Sequence, residues 1–195
     1  MNLQNVVFYL RGIVLKPTAT FEAISNDSEI KSYFQIVIFA DIFLAIIKFL
    51  LYQPISSIPG VDALGPFVGY IDAFSRFSSL IPFGIVSGFL TFYVSRIFTK
   101  NGTLVAFVTV IGLLDAIGTF LGIIAIFFSP FEIVSSILGL WLGYLGYLAI
   151  VALASVSKTK AVFISLIYSG IYFIVLGGAV ALFFILSGKT IGLFP

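Results

Sequence analysis

Long apolar runs separated by short polar turns dominate this chain. Inside a bilayer each backbone polar group must be satisfied within its own segment, so a run of about 20 apolar residues reads as one membrane-crossing helix. Five runs qualify: roughly Tyr33 to Tyr52, Leu80 to Phe98, Leu104 to Phe128, Glu132 to Val156, and Ala161 to Ser187. Turn and cap residues punctuate them. Asn26-Asp27-Ser28 precede the first run, Asn101-Gly102 the third and Ser129-Pro130 the fourth. The pattern predicts an all-α polytopic membrane protein of one domain. A bundle of five transmembrane helices occupies residues 33–187, behind a cytoplasmic or interfacial segment over 1–32.

Four stretches fit this scheme less simply. Residues 2–15 place Leu3, Val6, Val7, Leu10 and Val14 at helical spacing. At about 1.5 Å per residue they are too short to cross the core, and they suit the membrane interface. Pro17, followed by the Phe21/Ile24 pair, predicts a second short helix on the membrane surface. Residues 67–79 fit either an interfacial helix or the outer half of a long second span, which Pro82 would then kink or break. Between them, Gln53 to Pro66 carries Pro54, Pro59, Gly60 and Pro66 and reads as a structured loop.

Composition agrees with the pattern. The chain is 61% hydrophobic and only 9% charged, so lipid must serve as solvent for much of its outer surface. Cysteine and histidine are both absent, which removes disulfides, His-ligated metal sites and Ser-His or Cys-His nucleophile pairs. A net charge of +2 without a Lys/Arg run excludes nucleic acid as a partner. Residues 1–16 lack a basic stretch leading to a small-residue cleavage site, so no cleaved signal peptide is expected. Seven of the ten basic residues fall on one side of the five-span scheme: Arg11, Lys16, Lys31, Arg96, Lys100, Lys158 and Lys160. That bias predicts a cell-membrane protein with its N-terminus in the cytoplasm and its C-terminus outside.

Charges within spans are costly and therefore mark candidate sites. Asp41 and Asp115 lie near the midpoints of the first and third spans. If they face each other they could share a proton or hold a cation; otherwise each fixes helix packing. Lys48 lies two turns beyond Asp41, where it either snorkels or pairs with Asp72, whose own i+4 neighbour is Arg76. Gly84/Gly88, Gly118/Gly122 and Gly139/Gly143 have GxxxG spacing, which serves close packing inside the monomer or a homo-oligomer seam. Aspartyl protease chemistry is ruled out because Asp115 follows Gly112-Leu113-Leu114 in place of a GxGD motif. No enzymatic activity, cofactor or metal centre is expected.

Three segments together resemble the Yip1 domain family in its bacterial and archaeal branch. KPTATFEAISND (Lys16 to Asp27) resembles its P-x-x-x-F-x-x-I entry before the first span. RIFTKNGTLVAFVTVIGLL (Arg96 to Leu114) resembles its inter-helix turn and third span. LWLGYLGYLAIVALASVSKTKAVFISL (Leu140 to Leu166) resembles its Trp-bearing fourth span and the basic turn after it. The resemblance implies a non-enzymatic membrane scaffold that organises lipid or binds a membrane or cytoplasmic protein. Phe21, Glu22 and Ile24 are then the candidate partner-binding residues. The rival expectation is a small-solute or ion/proton transporter that uses Asp41 and Asp115.

Overall fold

The apolar runs coil as expected in the computed structural model, which describes residues 3–52, 67–127 and 131–186. Among those residues there are eight helices and no strand. They are α1 (Leu3–Leu15), α2 (Pro17–Ser25), α3 (Ile30–Leu50), α4 (Phe67–Leu80), α5 (Phe83–Phe98), α6 (Leu104–Phe127), α7 (Phe131–Ala154) and α8 (Lys158–Leu186). The expected proline loop over Gln53 to Pro66 and the Ser129-Pro130 cap lie outside the described residues. Helices α3, α6, α7 and α8 are each long and apolar enough to cross a membrane. At 1.5 Å per residue they reach about 30–45 Å, against a hydrocarbon core of about 30 Å. The protein is an all-α, multi-pass membrane protein.

The second span departs from expectation. It is not one straight helix from Leu80 to Phe98 but a pair, α4 and α5, meeting at an angle of 85°. Pro82 explains the break, because it has no N–H to continue the α4 ladder and its ring excludes the carbonyl of the preceding turn. It stands instead as the N-cap residue of α5, where the missing N–H costs nothing. Helix α5 has 16 residues, so it reaches only about 24 Å. Residues 67–79 thus form a helix of their own, broken from α5 at Pro82 and packed against α3 and α8.

Helix α6 is the hub, packed against α2, α3, α5 and α7. Its first half is solid core: Ala106, Phe107, Val108, Thr109 and Val110 are all buried. Leu145, Ala149, Ala152 and Leu153 of α7 meet it there. Phe21 and Ile24 of α2 join the same core, at 0% and 2% exposure. Of the candidate partner-binding residues, then, only Glu22 remains exposed. The pair that was expected to face the membrane surface faces α6 and α7 instead.

Polar bonds fasten this end. Tyr9 donates its hydroxyl to Asp27 Oδ2, Tyr33 donates to the same oxygen at 3.4 Å, and the Glu29 amide donates to Oδ1 at 2.8 Å. The Tyr9 bond foremost, then the Glu29 amide, holds the Asp27 carboxyl below its usual range. Burial, together with the Asp27 bond, pushes the Tyr9 phenol up. On the α5–α6 turn, Arg96 donates to the carbonyl oxygens of Lys100 and Gly102, and its guanidinium lies 4.6 Å from the centre of the Phe92 ring. Because α2, the α5–α6 turn and the α7–α8 turn all meet here, the seven basic residues cluster at one end of the bundle.

Candidate functional site

A helix that starts inside the membrane has amide N–H groups with no intrahelical partner and no water to take them. Helix α5 starts after Pro82 at a buried point of the bundle, and two carboxyl groups meet its first amides. Ile85 N–H donates to Asp41 Oδ2 at 2.8 Å, and Gly84 N–H donates to Asp115 Oδ2 at 3.1 Å. The partial positive charge of the α5 N-terminus suits an acidic cap. Both carboxyl groups border Gly84, where an added Cβ would lie 2.8 Å from Asp115 Cβ and 3.2 Å from Asp41 Oδ2. Asp41 and Asp115 therefore meet, as one of the sequence readings required.

Glycine makes the approach close enough. A Cβ at Gly84 would lie 2.7 Å from Gly112 Cα and 2.8 Å from Asp115 Cβ. A Cβ at Gly88 would lie 2.6 Å from Val108 Cα. The first GxxxG pair thus packs α5 onto α6 within the monomer, backbone against backbone. Phe83 closes the other side, edge-on to Tyr172 of α8 with ring centres 4.7 Å apart.

The two aspartates are not equivalent. Asp41 is 2% exposed and does not line the cavity that Asp115 borders. Asp115 is half-buried and lies on the wall of a cavity of about 520 Å³. The remaining GxxxG glycines shape that cavity. Gly118 and Gly122 of α6 and Gly139 and Gly143 of α7 line it. Among the described residues, a Cβ at Gly122, Gly139 or Gly143 would touch nothing within 4 Å. These positions therefore leave space where a packing seam inside the monomer would fill it. Gly122, Gly139, Gly143 and Lys48 are exposed and mark the cavity mouth, at the end of the bundle opposite the basic residues.

Lys48 lines the cavity that holds Asp115. Asp72 accepts from the Tyr52 hydroxyl through its backbone oxygen at 3.0 Å and through Oδ1 at 3.2 Å. The guanidinium of Arg76 lies 5.2 Å from the centre of the Phe49 ring. Asp72 and Arg76 thus tie α4 to the end of α3 and take no part in the cavity wall.

No protein-family model, curated protein or solved structure matches this chain. What the site does is therefore argued from its own chemistry. Sequence reasoning missed Ser87 and Tyr168, both on the cavity wall. Ser87 is 1% exposed, and among the described residues its Oγ has no hydrogen-bond partner. Its position one turn after Gly84, on the face that meets α6, was the available sign. Tyr168 carried none, since the chain has nine tyrosines and a ring within an apolar helix usually packs.

Proposed function

We propose that this protein is a membrane carrier for a small solute or ion, with Asp115 as the group that binds the cargo. One arrangement supports this reading above all: a cavity reaches a carboxyl group seated on the N-terminus of a broken helix. Carriers commonly place their sites at discontinuous helices near the membrane midplane, where half-helix ends supply fixed partial charge. Asp41 is the second cap of α5 and keeps its end at the depth of Asp115. With the basic end in the cytoplasm, the cavity mouth faces outward.

Asparagine in place of Asp115 keeps the shape and the bond from Gly84 but carries no charge and no titratable proton. The wild-type melting temperature in detergent should shift with monovalent cations or with pH between about 5 and 8, and Asp115→Asn should abolish that shift. Identical, flat profiles for both proteins would overturn the carrier reading.

A scaffold of the Yip1 type is the second reading, and one observation favours it. A polar cleft of about 400 Å³ at the basic end is lined by Glu22, Ser25, Asn26, Thr103 and Ser155, and a partner's polar segment could seat there. The same melting series separates the two readings, because a scaffold needs Asp115 only as a cap for α5.

A further inference from the structure

One side of α1 lies open, and its composition is mixed. Phe8, Val14 and Leu15 are 67%, 61% and 63% exposed, and Arg11 is exposed with them. Arg11 stands three or four residues from each of the other three, so all four share one face of the helix. The opposite face is committed to the protein. Ile13 is buried in the core, a Cβ at Gly12 would strike Thr20 of α2, and Tyr9 donates its hydroxyl to Asp27. Helix α1 is therefore held in one rotation, with its open face turned away from the bundle. Its 13 residues reach about 20 Å, too short to cross a hydrocarbon core of about 30 Å. Water is a poor cover for three large apolar side chains set side by side. The bilayer interface suits them, with an apolar helix face sunk about 5–10 Å into the boundary of headgroups and acyl chains.

Charge narrows the partner to one class of lipid. Residues 3–16 contain Arg11 and Lys16 and no acidic residue. Both are exposed, and among the described residues neither side chain has an ion pair or hydrogen bond. Two acids where α2 meets α3 already hold donors of the protein. Asp27 accepts from Tyr9, Tyr33 and the Glu29 amide, and Glu29 accepts from Tyr33 at 3.4 Å. An arginine on an interfacial apolar face lays its aliphatic stem along the acyl boundary and lifts its guanidinium to the phosphate level. There the planar fork meets phosphate oxygens two at a time. Lys16 adds a second cation where α1 turns into α2. Zwitterionic headgroups answer their own phosphate with a bound cation, whereas anionic headgroups leave it to the protein. We propose that the open face of α1 docks on anionic phospholipid, with Phe8, Val14 and Leu15 among the acyl chains and Arg11 and Lys16 on the headgroup phosphates. This contact is independent of what the cavity beside Asp115 takes.

The test puts a fluorescent reporter on that face of the full-length protein. Trp141 is the chain's one tryptophan, so Trp141→Phe with Phe8→Trp leaves a single indole, on the open face of α1. The protein is reconstituted in bilayers of equal parts phosphatidylcholine and phosphatidylglycerol, with bromine quenchers on the chains of one lipid or the other. Both should quench, and phosphatidylglycerol severalfold more strongly. Arg11→Gln and Lys16→Gln should each lower that preference by as much as about fivefold. Salt near 1 M should weaken it too. Both variants should keep the wild-type melting temperature in neutral detergent, because the packed face of α1 is untouched. Equal quenching by the two lipids would overturn the anionic headgroup. No quenching by either would overturn the docking itself and give that face to water or to a second copy. Wild-type protein supplies a reading without the reporter. Its melting temperature should be higher in bilayers containing phosphatidylglycerol than in phosphatidylcholine alone, and a gain undiminished in the Arg11→Gln, Lys16→Gln double variant would overturn the assignment.

Discussion

Ser155 and Gly102 sit on adjoining turns at the basic end, and both have left-handed backbone, with φ of 50° and 78°. Glycine adopts this region freely, whereas serine does so at a cost. Ser155→Gly should therefore stabilise the protein by about 0.5–1 kcal/mol. Gly102→Ala should cost about 2 kcal/mol or more, because its Cβ would also lie 2.5 Å from the Leu153 carbonyl oxygen and 2.7 Å from the Phe107 ring. Thermal unfolding of both variants checks the pair of signs. The Gly102 turn was legible in the sequence because Asn-Gly announces it; nothing about serine announces positive φ. At Asp27 the folded carboxyl is held below its ordinary value, chiefly by Tyr9. Its contribution is therefore present above the unfolded value, about 3.9, and is lost as pH falls through the lower folded value. The Tyr9 phenol is raised, so its contribution is present below about pH 10 and is lost as pH rises through the higher folded value. Protease sensitivity of the α1–α2 segment should rise at both extremes, and Asp27→Asn should remove the acid limb.

At the scale of the helix, the long apolar runs were legible because a bilayer admits little besides helices. Pro82 was legible as a breaker as well. The 85° turn was not, since a proline frees the chain and leaves its new direction to the surfaces it meets. The depths of Asp41 and Asp115 followed from counting residues; their meeting depended on how α3 and α6 are rotated. That rotation is set where Gly84 and Gly88 let α5 settle on Gly112 and Val108. Helix α2 shows the opposite problem. An apolar face carrying Phe21 and Ile24 looks the same whether lipid or another helix will cover it, and here α6 and α7 do. Deleting residues 1–27 should thus expose the core around Phe107 and Leu153, at about 1.5–3 kcal/mol for each large side chain lost. Size-exclusion chromatography should show aggregation of the truncated protein; a monodisperse peak would mean that α2 is dispensable.

Among the described residues the molecule is packed unevenly. Its basic end holds the continuous core, and its other end opens into the glycine-lined cavity. Charge bias along the sequence sorted the two ends without any knowledge of packing. A cysteine at Asn101 should therefore be labelled by an impermeant reagent only from the cytoplasmic side, and one at Ser129 only from outside. Labelling of Asn101 from outside would reverse the assignment.

The same unevenness divides the glycines by the kind of loss each one guards against. Under selection for folding alone, Gly84, Gly88 and Gly102 would admit no replacement, because any side chain there strikes neighbouring backbone at 2.7 Å or less. Gly122, Gly139 and Gly143 would drift, since added atoms meet nothing among the described residues. Drift at those three positions, and first of all to the larger residues that suit a helix, would close the cavity while leaving the bundle intact. A lineage that had lost the use of the cavity would therefore keep its fold and fill its slot.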